Sequence, residues 1–179
     1  MAGRKQADEY VGERNAAGEC EGGGEYRFAS GSVYKGECKA NNKDGRGTYT
    51  WKEGDVYDGE YKADNKEGRG IYRHAKADGK DGDVYNGEYK AGKMEGQGKY
   101  LYASGNIEVG FYKAGKGVGE SVKWTADGRS AWQMQDGKEV KTISNEEAER
   151  NVERLKLPMP VRREGKWAAG QPTPAGWFG

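Results

Sequence analysis

One histidine, two cysteines and a family of evenly returning carboxylates are the side chains whose chemistry could reach beyond packing. General acid–base catalysis needs an imidazole or carboxyl group within hydrogen-bond reach of a group that tunes it. His74 offers no such set: it occupies the position held elsewhere by Phe28, Trp51 and Tyr102, where an aromatic ring packs, and no Ser-His-Asp arrangement can be built around it. Glu13, Glu37, Glu60 and Glu88 return singly, as cross-strand charge partners would, and singly spaced carboxylates make neither an acid–base pair nor a metal cluster. Gly115 to Ser121 (GKGVGES) has the glycines of a phosphate loop. It lacks the Gly-Lys-Ser ending and leads toward a strand rather than a helix N-terminus, so it is expected to be a shortened hairpin turn. Cys20, in an expected loop, and Cys38, in an expected strand, have no CxxC spacing and are read as reduced thiols. No catalytic residue, cofactor site or metal site is expected.

These residues must be positioned by a chain of 179 residues of which only 34% are hydrophobic and 33% are charged, with glycine at 31 positions. Aliphatic material is too scarce for a thick core. Twelve tyrosines and five tryptophans make the buried surface aromatic and thin, which suits a single-layer sheet better than a sandwich. A net charge of +1, with both signs mixed along the chain, gives no field directed at nucleic acid or an anionic bilayer. No transmembrane segment is expected. The polar N-terminus (MAGRKQADE) lacks the apolar stretch of a signal peptide, so a soluble, intracellular protein is expected.

Self-similarity decides the fold. Tyr-x-Gly-Glu occurs at Tyr10–Glu13, Tyr34–Glu37, Tyr57–Glu60 and Tyr85–Glu88, with a degenerate copy at Glu108–Phe111; the intervals are 24, 23, 28 and 23 residues. Each intact copy is followed by Gly-x-Gly-x-Tyr, ending at Tyr26, Tyr49, Tyr72 and Tyr100, and the fifth copy (Gly117 to Ser121) lacks its tyrosine. Ser30-Gly31-Ser32, Glu53-Gly54-Asp55, Ser104-Gly105-Asn106 and Asp127-Gly128 supply turns between repeats. The long interval carries its extra residues in His74 to Asp83, an exposed loop that should leave strand pairing on either side intact. The last copy, starting at Ser130-Ala131-Trp132, has no anchor and would serve only as a terminal cap.

Side chains alternate along a strand, so Tyr34, Gly36 and Cys38 share one face, and Gly47, Tyr49 and Trp51 share the same face of the returning strand. The other face is charged and threonine-rich. A strand-interior glycine costs roughly 0.5–1 kcal/mol relative to alanine. Gly36, Gly47, Gly59, Gly70, Gly87, Gly98 and Gly110 therefore need a reason, and an aromatic ring lying over each bare Cα supplies one. Ten to twelve strands at about 4.8 Å spacing would make a ribbon roughly 50 Å long.

Recurring Tyr-x-Gly-Glu with Gly-x-Gly-x-Tyr resembles the MORN (membrane occupation and recognition nexus) repeat family over residues 10 to about 135. The resemblance implies an all-β, elongated single-layer antiparallel meander of five to six hairpins, a non-catalytic scaffold for protein partners, and a place in cytoplasmic and cytoskeletal assemblies. A short chain of this kind is similar to ciliary members, such as components of axonemal radial spokes. The family also implies an alternative, a peripheral module that binds acidic phospholipids. Near-neutral charge disfavours that alternative.

The expected organisation is an N-terminal tail (1–9), the repeat array (10–135), a linker (136–143), an amphipathic helix (144–157) and an aromatic Pro/Gly-rich tail (158–179). Ser144 to Glu147 is a capping box, Ala148, Val152 and Leu155 form the apolar stripe, and Pro158 stops the helix. That helix either caps the array or docks a partner. Trp167, Trp177 and Phe178 are candidate tail anchors for a partner groove, with folding back onto the protein's own concave face as the alternative. On the array, Tyr34, Tyr49, Trp51, Tyr57, Tyr61, Tyr72, Tyr85, Tyr89, Tyr100 and Tyr112 are the candidate partner-binding face.

Overall fold

A computed structural model describes residues 8–76 and 81–168. Six hairpins follow one another: β1 (Glu9–Arg14) with β2 (Cys20–Arg27), β3 (Val33–Lys39) with β4 (Asn42–Thr50), β5 (Val56–Lys62) with β6 (Asn65–Arg73), β7 (Val84–Lys90) with β8 (Lys93–Leu101), β9 (Ile107–Lys113) with β10 (Lys116–Trp124), and β11 (Ala131–Gln135) with β12 (Lys138–Ile143). They form one twelve-stranded antiparallel sheet in strict chain order, the all-β meander expected from the repeats. Pairing across the long insertion persists, with Arg73 opposite Val84.

Register sets the faces. Gly36, Gly47, Gly59, Gly70, Gly87, Gly98 and Gly110 are successive cross-strand partners, so the glycines make one unbroken row. Beside it runs a row of tyrosines, Tyr34, Tyr49, Tyr57, Tyr72, Tyr85 and Tyr100. A slip of one residue would turn every ring to the other side, and this makes the pairing strongly specified.

The tightest turns fall at dipeptides with little turn character. Ala40-Asn41, Ala63-Asp64, Ala91-Gly92 and Ala114-Gly115 are two-residue connections with positive φ at both positions, the twist that joins antiparallel strands without splaying them. Alanine is uncommon at positive φ, so these were not legible as turns. Gly115 to Ser121 is accordingly not a shortened turn: the turn is Ala114-Gly115, and residues from Lys116 onward run as β10. Residues 136–143 are not a linker either. Asp136-Gly137 turns the chain and Lys138–Ile143 is β12, which extends the sheet beyond residue 135.

At the C-terminal end the sheet acquires a second layer. Ile107, Val109, Val122, Trp124, Ala131 and Ile143 lie on the face opposite the tyrosines and are buried by α1 (Asn145–Arg154), through Ala148 and Val152, and by Leu157 beyond it. The Ser144 hydroxyl accepts from the Glu147 N–H at 3.1 Å, the capping bond that the sequence suggested. The helix ends at Arg154, ahead of Leu157, with Lys156 at a φ of 54°. It thus covers a face of the sheet rather than its open edge. Beyond it the chain forms a small hairpin, β13 (Val161–Arg163) with β14 (Lys166–Ala168). Trp167 on β14 packs against Trp124 at 6.0 Å between centroids and donates its indole N–H to the Thr125 carbonyl at 2.7 Å. Arg162 stacks on the Trp167 ring. Trp167 has therefore folded back on its own sheet and is no free anchor; Trp177 and Phe178 lie outside the described residues.

The cysteines also depart from expectation. Cys20 begins β2, Cys38 lies near the end of β3, and the two are joined as a disulfide with 5.9 Å between their Cα atoms, so neither is a reduced thiol. Gly22 pairs with Cys38, and Cys20 is two residues from Gly22 on the same face; adjacency of β2 and β3 brings the sulfurs together.

Candidate functional site

The tyrosine face is built by a device repeated along the sheet. Tyr57, first residue of its Tyr-x-Gly-Glu, lies down over its own strand and its neighbour, so that a Cβ on either Gly59 or Gly70 would collide with it. Its hydroxyl donates to the Glu60 carbonyl at 3.0 Å. Tyr34 does the same over Gly36 and Gly47, donating to Glu37 at 2.6 Å, and Tyr85 over Gly87 and Gly98, donating to Glu88 at 3.3 Å. Gly110 departs from this pattern. Glu108 replaces the tyrosine, and it is Ser121 that lies against Gly110; Glu108 accepts from the hydroxyls of Ser121 (2.6 Å) and Tyr102 (2.7 Å).

The bulge beside each ring explains the remaining residues of the signature. Register shifts between Gly36 and Cys38, and Gly45 across from it takes a φ of 103°. A side chain there would also strike the Glu37 carboxylate, which accepts from the Arg46 N–H at 3.3 Å. Glu60 accepts likewise from the Arg69 N–H at 3.1 Å. These glutamates were expected as cross-strand charge partners; Glu37 and Glu60 are instead acceptors for backbone N–H groups that the bulge leaves without a ladder bond.

A second set of acids stitches one hairpin to the next. Glu21, Asp44, Glu67 and Glu95 accept from the N–H groups of Ala40, Ala63, Ala91 and Ala114, each at a positive-φ turn. Lys62, bonded at 3.1 Å, holds Asp44 below the usual carboxylate range, with the Ala63 N–H adding to the effect. A third set, Asp8, Asp55 and Asp83, takes the hydroxyls of Tyr26, Tyr72 and Tyr100. The sequence carried signals for both: an acid precedes the first glycine of each intact Gly-x-Gly, and Asp8, Asp55 and Asp83 each stand two residues before a repeat tyrosine.

Two layers of rings result. Tyr34, Tyr61, Tyr57, Tyr89, Tyr85 and Tyr112 form a zigzag of edge-to-face contacts, with centroids 4.9–5.5 Å apart, and all six are buried. Such geometry contributes about 0.5–1.5 kcal/mol per pair beyond area burial. Burial, aided by neighbouring carboxylates such as Glu60 and Glu88, raises the ionisation of Tyr57 and Tyr85 above the usual tyrosine range. Alongside lies a half-buried row in tilted contact, Tyr26, Phe28, Tyr49, Trp51 and Tyr72, continued by His74.

The ten candidate residues thus divide. Tyr34, Tyr57, Tyr61, Tyr85, Tyr89 and Tyr112 hold the sheet, while Tyr49, Trp51, Tyr72 and Tyr100 keep surface open to a partner. Tyr26, Phe28 and Tyr102 join the half-buried set and were not among the candidates. Where Cys38 stands in the position of Tyr61, Tyr89 and Tyr112, the zigzag stops and a cleft of about 300 Å³ opens, lined by Tyr10, Tyr26, Phe28, Tyr34, Lys43 and Asp64 beside the disulfide. His74 sits 4.9 Å from the Tyr72 ring and 3.6 Å from Asp55, within the aromatic row. Among the described residues no three or more His, Cys, Asp or Glu side chains are grouped to hold a metal, and no helix is long and apolar enough to cross a membrane.

Comparison with known proteins matches this architecture. Residues 34–56, 57–78 and 85–107 each match the MORN repeat. The matched segments carry β3 through β8, where the anchor tyrosines and paired glycines are intact. The last two hairpins continue the same sheet with altered residues, whereas β1 and β2 continue it with the Tyr10 anchor and the Gly12–Gly24 pair retained. No curated protein matches the chain.

Proposed function

We propose that this chain, which carries MORN repeats, is a non-catalytic scaffold that holds segments of other proteins along its aromatic face. The observation that carries this reading is the half-buried row of Tyr49, Trp51, Tyr72 and Tyr100, packed beside a buried tyrosine zigzag. Rigid aromatic surface on a stiff support loses little conformational entropy on binding, and repetition sets bound segments at regular intervals. A cytoplasmic, cytoskeletal setting, and within it the ciliary axoneme with its radial spokes, is the placement we propose from the resemblance of the repeats. Neither a nucleic-acid partner nor a cofactor forms part of this reading.

Detergent fractionation of ciliated cells expressing the tagged chain tests it. Retention in the demembranated axoneme, with cross-links from hairpin lysines such as Lys43 and Lys93 to other proteins, is expected. Trp51→Ala together with Tyr72→Ala should reduce those cross-links. Release with the membrane, with flotation on acidic vesicles, would favour the lipid-binding alternative instead.

A further inference from the structure

Lys43 and Lys66 occupy the same place in consecutive repeats. The residue at the following turn donates its N–H to the lysine carbonyl in each case, Asp64 to Lys43 and Gly92 to Lys66, both at 2.9 Å. Each ammonium rises among rings of the aromatic face: Lys43 lies 5.8–6.0 Å from Tyr34, Tyr49 and Tyr61, and Lys66 lies 4.5–5.7 Å from Tyr72, Tyr57, Tyr89 and Trp51. Asp64 completes the first site, accepting from the Lys43 ammonium at 2.7 Å and from its backbone N–H at 3.0 Å. At the second site the turn residue is Gly92 and brings no side chain. Among the described residues Lys66 has no ion-pair partner. Asp55 is close enough to favour its charge, but that carboxylate is taken by the Tyr72 hydroxyl and the Ala75 N–H and faces His74. Burial under the rings weighs against the charged form of Lys66, and a half-buried ammonium is best stabilised by a carboxylate hydrogen-bonded to it.

We propose that Lys66, framed by Trp51, Tyr57, Tyr72 and Tyr89 and left open at Gly92, is the receptor for an aspartate or glutamate side chain of a protein partner. That side chain would stand where Asp64 stands in the preceding repeat. The inference rests on the aromatic face being a protein-binding surface, and adds to it a charge that fixes where along the face the segment sits. Apolar groups beside the acid would lie on Trp51 and Tyr72, so the recognised feature is an acid flanked by apolar or aromatic residues.

The sheet itself supplies the test substitutions. Lys66→Met installs the residue present at the equivalent Met94, and Gly92→Asp installs the residue present at Asp64. Gly92 has a φ of 79° against 67° for Asp64, and the nearest atom to an added Cβ is Asn65 Oδ1 at 4.0 Å, so the aspartate fits and would occupy the site from within. A random dodecapeptide phage library selected on the full chain should yield peptides with a shared Asp or Glu beside apolar residues. Fluorescence anisotropy of those peptides should show about tenfold or greater weakening with either substitution, and no change with Lys90→Met on the other face. Peptides without an acid, or binding that ignores both substitutions, would overturn the carboxylate site while leaving the aromatic face as a docking surface. Phosphatidylserine vesicles that bind in a Lys66-dependent way in place of peptides would reassign the site to lipid. Binding of neither probe would remove both this inference and the scaffold reading.

Discussion

The ring of Tyr57 lies on the backbone of Gly70, one strand away, so a residue of one strand fills the space that a side chain on the next would need. Gly70→Ala should push the ring off the sheet and cost about 1–3 kcal/mol, the usual range for overpacking. Gly23, with nothing within 4 Å of an added Cβ and an ordinary backbone, is the control: alanine there should be neutral or slightly stabilising. Urea unfolding of the two variants checks the difference, and equal midpoints would show that the ring does not depend on the bare Cα.

Tyr57→Phe separates packing from hydrogen bonding. The ring remains over Gly59 and Gly70, but the Glu60 carbonyl at the bulge loses its donor at 3.0 Å. An acceptor left without a partner beside a packed ring costs about 1–3 kcal/mol. Hydrogen exchange should quicken first around β5 and β6, and a change spread evenly over the chain would contradict a local role.

Alkaline titration reads the buried zigzag directly. Burial, as the leading cause, raises the ionisation of Tyr57, Tyr61, Tyr85, Tyr89 and Tyr112 above the ordinary tyrosine value near 10. Between the unfolded and folded values the unfolded chain has lost protons that the folded one keeps. Stability contributed by these rings is therefore fully present below about pH 10 and falls as pH rises beyond it. Absorbance at 295 nm should show a first group of tyrosines ionising reversibly. A second group should ionise only as the β-sheet circular dichroism collapses.

Most of the fold was legible because one physical unit repeats. Tyr-x-Gly-Glu and Gly-x-Gly-x-Tyr mark the ring, the glycines beneath it and the bulge, and alternation places them on one face. Three things were obscured. The Ala-x turns put alanine at positive φ, against its preference. The final hairpin keeps the pairing but exchanges tyrosine for Trp132 and Met134 on the aromatic side, so the motif ends before the sheet does. The second core was visible only as Ile107, Val109, Val122 and Trp124 on the parity opposite the tyrosines, and that needed the register of β9 against β10. At the candidate site the sequence named the rings. For Tyr34, Tyr57 and Tyr85 against Tyr72 and Tyr100, the division into packed and open follows which hydroxyls are tied to bulge carbonyls and which to Asp55 and Asp83. Lys66 was not among the candidates because a lysine between Asn65 and Glu67 looks solvated until the turn residue above it is identified as glycine.

Trp167 tests whether the end of the sheet is held by its own tail. The indole lies against Trp124, donates to the Thr125 carbonyl and carries the Arg162 guanidinium on its face, while Arg162 also bonds Gly165 within the same hairpin. Removing the ring takes away one of the contacts that tie β13 and β14 to the end of β10, the Arg162 bond to the Ala126 carbonyl being another, yet it leaves Ala148 and Val152 of the helix in the same buried cluster as Val109 and Val122. Trp167→Ala should therefore cost about 3 kcal/mol or less, below a fully enclosed tryptophan, because the ring is only partly buried. The loss should be confined to the C-terminal third: proteolysis should cut sooner near residues 161–168, with the exchange protection of β3 to β8 unchanged. A variant that loosened those distant strands equally would mean that the tail stabilises the whole sheet rather than its last hairpins, in conflict with neighbour-only coupling along a meander.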